Sequence, residues 1–520
     1  MLLRRDFLKA GGIAGASALR PSVAESKDDV GVSRCPPTPA FKMELPIPSV
    51  CGERSALDGI RPESHQRYAE YAPQKFYEMK VKAFAHRFHP NLRDTLVWGY
   101  DGKMPGPTFH ARYGEPLMCR IHNELPPNHV GFGIPELSTH LHNSHNGSES
   151  DGFPTDFNGP GKYRDHHYCG KFAGNDPREA LGTLWYHDHR MDFTAQNVYR
   201  GLAGFFLLFD DVDTGDERTG LRLPSGRFDV PLVFADKVFD SNSQLVFDFF
   251  NTNGILGDKF TVNGVIQPFM KVGRRKYRFR LLDAGPSRFY EFVLSSGQPF
   301  VQIANDGNLL AAPATRIAVR LAPAERADVI VDFSKYSIGD SVYLLNRLFQ
   351  DSGRGPEGVL MNPATPLIRF DIDREEEDPS VIPVTLRDQP PITMSEVVTK
   401  RRWIFNRLNG AWTINEKVFN LNEVRATIKE NTAEMWTLEN KSGGWSHPIH
   451  IHFEEFRIIS RNGSAPPPWE RGRKDVVVVG PDETVQIFMR FRDFHGKYVM
   501  HCHNTVHEDH AMMLRWDIVP

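Results

Sequence analysis

Four times the sequence writes His-x-His: His140 and His142 in THLHN, His187 and His189 in WYHDH, His450 and His452 in HPIHIH, and His501 and His503 in MHCHN. With 21 histidines in 520 residues, chance supplies roughly one such pair. On a β-strand, residues i and i+2 share a face, so each motif offers two imidazoles side by side. Eight imidazoles from four strands are enough for a site that holds several metal ions. Every histidine lies at or before His189 or at or after His447. Two distant parts of the chain therefore build the site together.

The last motif holds a second signal. In HCHNTVHEDHAMM, residues 501–513, Cys502 stands between two paired histidines and by alternation faces away from them, so its metal is a different one. His507 follows five residues on and Met512 ten residues on, while His447 stands three residues before His450. Two imidazoles, a thiolate and a weak thioether are the ligand set of type 1 blue copper. Zinc would accept the cysteine and the histidines but has no use for Met512. Met513 adjoins Met512, and only one of the two can be axial.

Side-by-side imidazoles need strands, and the rest of the chain supplies them. Period-two alternation recurs in EPLMCRIHN (115–123), YRFRLLDAG (277–285), DVIVDF (328–333) and TVQIFMRF (484–491). Helical periodicity is scarce, and Gly (42) and Pro (38) are plentiful. The fold class expected is all-β, built of sandwiches. A loose echo links residues 102–123, 263–283 and, more weakly, 414–440, which suggests three related sandwiches. Polar, Pro-containing linkers near 213–226 and 374–391 divide the chain at about 41–212, 225–375 and 390–520. A net charge of −3 points to no polyanionic partner, so nucleic acid is excluded. The basic run GRRKYRFR (273–280) reads as a solvated strand with alternating arginines.

The chain begins MLLRRDFLKAGGIAGASAL, where Arg4 and Arg5 precede Phe7, Leu8 and Lys9 and a short Gly/Ala-rich run. That resembles a twin-arginine export signal over residues 1–24, with cleavage after Ala18 or Ala24 and a tail to residue 40. Export implies a periplasmic or extracellular protein. No later segment has the eighteen apolar residues of a membrane span, so a soluble protein without a membrane partner is expected; a monomer is expected as well. Five cysteines is an odd count. If Cys502 is a ligand, Cys35, Cys51, Cys119 and Cys169 remain. Cys35 and Cys51 flank a Pro-rich segment and could close a small loop, or all four could stay buried thiols.

The four His-x-His motifs, HPIHIH and HCHNTVHEDHAMM resemble the copper signatures of three-domain multicopper oxidases. The HEDxxMM ending is most similar to the spore-coat laccase and bilirubin oxidase branch. The resemblance runs from about residue 95 to 520 and implies three cupredoxin domains, the first and third holding four copper ions. Carried over residue by residue, it implies that His447, Cys502, His507 and Met512 hold type 1 copper and that His140 and His450 hold type 2 copper. The type 3 pair would lie between His142, His187 and His503 on one ion and His189, His452 and His501 on the other.

The reaction implied couples four one-electron oxidations of a small-molecule reductant to reduction of dioxygen to two waters. Cys502, bonded in sequence to His501 and His503, would conduct electrons from the first site to the cluster. Asp151, nine residues after His142, and Glu508, directly after His507, match the family's proton-supplying acids. His145, His166, His167 and His510 fall outside the motif spacings and read as loop or supporting residues. The 14 methionines are scattered, and no methionine-rich insertion points to cuprous or ferrous ion. The expected reductant is therefore phenolic or bilinoid, with manganese, iron or cuprous ion as the alternative. Trp403, Trp412 and Trp445 are candidates to line the approach to type 1 copper. A copper-free cupredoxin scaffold is disfavoured by the complete ligand set, and a two-domain nitrite reductase by length and by the four motifs.

Overall fold

The computed structural model describes residues 30–520; the expected export signal lies outside the described residues. Three β-sandwiches follow one another along the chain. In the first, a four-stranded sheet orders Gly106–Arg112, Ala203–Phe209, Thr183–Asp188 and Thr139–His142. It faces a sheet built on Lys75–His86, Leu117–Asn123 and Tyr163–Tyr168. The second sandwich packs a seven-stranded sheet, centred on Lys276–Asp283, against a five-stranded one. The third pairs a six-stranded sheet around Thr432–Asn440 with a five-stranded sheet that contains His447–Ile451 and Gly496–Cys502. Among the described residues, no helix is long and apolar enough to cross a membrane.

Strand alternation explains how these sandwiches acquire a metal-binding edge. Leu141 and Tyr186 point into the first core with Phe109, Ile121 and Phe206. Burying each such side chain contributes on the order of 2 kcal/mol. Their neighbours His140, His142, His187 and His189 must then face the other way, and His140 sits directly across from His187. In the third sandwich Ile449, Ile451, Met500 and Cys502 enter the core, which also contains Met512. His450 is then paired across from His501 on the opposite face. His447 lies an even number of residues from Ile449 and an odd number from His450, so it turns inward toward Cys502. One strand thus serves two sites.

The GRRKYRFR run is not solvated: Arg278 and Arg280 are 1% and 0% exposed. Their strand runs through the middle of the seven-stranded sheet and is pressed against the first sandwich. Arg278 reaches Asp213 at 2.8 Å and Asp328 at 2.5 Å, and Arg280 grips Asp229 through two bonds of 2.7 Å. Arg280 also donates to Thr183 Oγ1 across the domain boundary at 2.6 Å. Buried guanidiniums persist because each is paired and hydrogen-bonded. The cysteine loop does not form either. All five cysteines are free thiols, with Cys51 in the first core and Cys35 against the Phe88 cluster.

Candidate metal centre

Beneath the third sandwich's surface, three donor atoms converge. Nδ1 of His447 and Nδ1 of His507 each lie 3.5 Å from Cys502 Sγ and 3.3 Å from one another. The bonds behind the rings decide which nitrogen holds the lone pair. Ser442 Oγ donates to Asn440 Oδ1, so at 2.8 Å it accepts from His447 Nε2–H. Asn253 of the second sandwich accepts from His507 Nε2–H through its backbone carbonyl at 2.7 Å. Both Nδ1 atoms are therefore acceptors aimed at the sulfur. Burial lowers the His447 imidazole to about 3. Burial likewise pushes the Cys502 thiol well up, so a thiolate there requires a bound cation. Met512 is fully buried in the same core, and its carbonyl accepts from Cys502 N–H at 3.1 Å.

The eight paired imidazoles meet where the first and third sandwiches touch. Rings stack across that boundary, His140 on His452 at 3.9 Å and His142 on His450 at 3.7 Å between centroids. Nε2 atoms of His189, His452 and His501 form a triangle with sides of 3.2, 3.2 and 3.3 Å. His140 joins His450 and His452 in a second group, and His142 and His187 join His140 in a third. His503 approaches His142 and His187 at 5.3 and 5.4 Å between ring centroids. Both His503 nitrogens, and Nε2 of His140, His187 and His450, are buried without a hydrogen-bond partner. Unpaired buried nitrogens cost stability unless something coordinates them. Burial first, and then neighbouring imidazoles, depress the basicity of His140, His142, His189, His450, His452 and His503. Neutral imidazoles with inward lone pairs, beside a thiolate set with a methionine, fit copper.

The two acids stand behind these rings. Asp151 Oδ2 accepts from His452 Nδ1–H at 2.7 Å, and its carbonyl accepts from His140 Nδ1–H. Burial holds the Asp151 carboxyl well above the usual range. Glu508 places its two oxygens 3.2 Å from His189 Nδ1 and 3.0 Å from His501 Nδ1. It rides on a one-turn helix, Thr505–Asp509, whose first turn Asn504 caps by accepting from Val506 N–H. Asp509 in turn accepts from Ala195 N–H, tying that helix to the first sandwich. His145, His166 and His167 stay outside the cluster, bonded to Asp493, Ser150 and Tyr71. His510 also stays outside it, bonded to Val506.

Of the three tryptophans, Trp412 lies on His507 with ring centroids 4.0 Å apart and donates to Thr252 O at 2.8 Å. Trp445 packs on Trp412 at 5.3 Å, with the guanidiniums of Arg354 and Arg407 over it at 4.4 and 4.7 Å. Trp403 does not join them; it packs on Trp436 at 5.8 Å inside the third core. The histidine spacings gave no hint of Ser442, Asn253 or Asp475. The available signal for Asp475 is a lone acid heading the run DVVVV, where a solvated charge has no business.

A sulfur-containing site joined through adjacent residues to a histidine-only cluster, set between cupredoxin-like sandwiches, defines a copper-dependent redox enzyme. The chain belongs to the multicopper oxidase family, whose profiles match residues 85–212 and 387–520. It is 37% identical to the bilirubin oxidase of Albifimbria verrucaria, over 92% of this chain and 81% of that one. It is 32% identical to the laccase of Bacillus subtilis (strain 168), over 92% of this chain and 98% of that one. Among solved structures, the laccase from Pediococcus acidilactici superposes with a TM-score of 0.78 at 26% identity, covering 94% of this chain and 95% of that one. The protein is thus a laccase-like oxidoreductase with oxygen as acceptor.

Proposed function

We propose that the chain binds four copper ions and oxidises phenolic or bilinoid molecules, four electrons being passed to dioxygen for each pair of waters formed. His447, Cys502, His507 and Met512 would hold type 1 copper, and His140 and His450 type 2 copper. His142, His187 and His503 would hold one type 3 ion, and His189, His452 and His501 the other. Copper bound at these residues supplies one-electron exchange at the sulfur site and dioxygen reduction at the cluster.

The observation behind this reading is the covalent run His501-Cys502-His503, whose middle residue belongs to one site and whose flanks belong to the other. Cys502 gives electrons a bonded path between them. Trp412 and Asn253 seal His507 from bulk water. Asp151 holds His452 by its Nδ1 atom and Glu508 faces Nδ1 of His189 and His501, both acids close enough to supply protons where oxygen is reduced. The twin-arginine motif supports folding and metal loading before export to the periplasm or beyond. Oxygen uptake by the copper-loaded chain tests the reading, with phenols, bilirubin, ferrous, cuprous and manganous ions offered separately. Fast uptake with a phenol or bilirubin is expected. Uptake with a metal ion alone would overturn the substrate class, and none with any donor would overturn the function.

A further inference from the structure

We propose that Asp475 and Arg326 form a positioning pair that decides which nitrogen His142 presents to the metal cluster, so that the second sandwich, which supplies no histidine, helps set the cluster's geometry. This rests on the proposed role of the cluster as a copper site. Four cluster histidines, His140, His187, His450 and His452, are hydrogen-bonded from behind through Nδ1, and His189 and His501 turn Nδ1 toward Glu508, so all six leave Nε2 inward. His142 is reversed. Its Nε2–H donates to Asp475 Oδ1 at 3.1 Å, and its buried Nδ1 has no partner.

The reversal has a visible cause. Arg326 grips Asp475 with two parallel bonds, Nη1 to Oδ1 at 2.7 Å and Nη2 to Oδ2 at 2.6 Å. Such a fork fixes the plane of a carboxylate as well as its position. Arg326 is itself tied to Ala324 O and Thr183 O, at 3.0 and 3.3 Å. Asp475 is held from the other side by Asp306, which accepts from its backbone N–H at 3.1 Å. The Asp475 carbonyl also accepts from His450 Nδ1–H at 2.9 Å, so one residue orients two cluster imidazoles in opposite senses. The side chains of His142, His450, Asp306, Arg326 and Asp475 are all at most 1% exposed. Nδ1 is bonded to the ring carbon that bears the side chain, whereas Nε2 is not, so a ring presenting Nδ1 draws a metal closer to its own backbone. Releasing Asp475 would let His142 turn over and move its donor atom away.

Partners behind metal-binding imidazoles are worth about 10- to 100-fold in metal affinity. The test uses the full chain, copper-loaded, in the wild-type, Asp475→Asn and Arg326→Lys forms. Copper per chain is followed under a competing chelator, together with the visible thiolate-to-copper band. Asp475→Asn is expected to lose copper from the histidine cluster about 10- to 100-fold more readily, with the visible band retained. Arg326→Lys keeps the charge but not the fork and is expected to show a smaller loss of the same kind. If Asp475→Asn fails to fold, Arg326→Lys is judged by the same ratio. A brace that merely holds domains together would weaken both centres in parallel and lower the unfolding temperature. That result, or full copper retention in both variants, overturns the proposal. A wild-type chain that takes up no copper would instead overturn the reading of the cluster beneath it.

Discussion

Glu508→Gln separates proton supply from electron supply, because the residue touches the cluster and none of the sulfur-site donors. Its two oxygens face two different rings, at 3.2 Å from His189 Nδ1 and 3.0 Å from His501 Nδ1. A glutamine keeps one acceptor oxygen and replaces the other by a donor, so one of the two N–H groups is left facing an amide N–H. The amide cannot pass on a proton, which costs a factor of about 100 to 10,000 in rate. The assay reduces the copper-loaded enzyme fully under nitrogen, mixes it with oxygenated buffer and follows the return of the visible band. Reoxidation is expected to slow at least about 100-fold. Anaerobic reduction of the band by a phenol should proceed at the wild-type rate. Wild-type reoxidation at every pH, or a variant that lacks the band, would refute the reasoning.

Other expectations follow from the same geometry. Trp412→Ala removes a fully buried indole and its bond to Thr252. It should destabilise the third sandwich by about 3–5 kcal/mol in denaturant titrations and alter the visible band by baring His507. Asp328→Ala leaves Arg278 short of a partner in a buried network. It should cost about 3–5 kcal/mol, read by calorimetry, without changing copper content. Burial alone would raise the Asp493 carboxyl, but hydrogen bonds from His145 and Lys171 hold it well below the usual carboxylate range. Its stabilisation is therefore complete above the unfolded value of about 3.9 and lost as pH falls through the folded one. Wild type and Asp493→Asn should differ in urea midpoint at neutral pH and converge in strong acid. Alkylation of the unfolded, copper-free chain without reductant should label five thiols.

The histidine pairs are legible in the sequence because their period of two is the strand's own, so spacing alone puts both rings on one face. The same period assigns Cys502 to the opposite side. Glu508 and Asp151 are legible only through the resemblance, since an acid beside a turn looks like any other. Arg278 and Arg280 mislead because their aspartate partners lie 48 or more residues away, and a run of cations without visible anions reads as surface. Asp475 and Arg326 are 149 residues apart and meet only when two sandwiches dock. Asn253 acts through its backbone carbonyl, which no residue type can advertise.

That last contact makes the second sandwich the faceplate of the sulfur site. His507 is fully buried, and what a diffusing molecule meets in front of it is the segment around Thr252 and Asn253, beside Phe250, which is 92% exposed. Selectivity for reductants can then be rewritten in a stretch of chain that binds no metal, while every donor atom stays where it is. Exchanging this short segment is therefore expected to change which reductant reaches the sulfur site while the copper content stays the same.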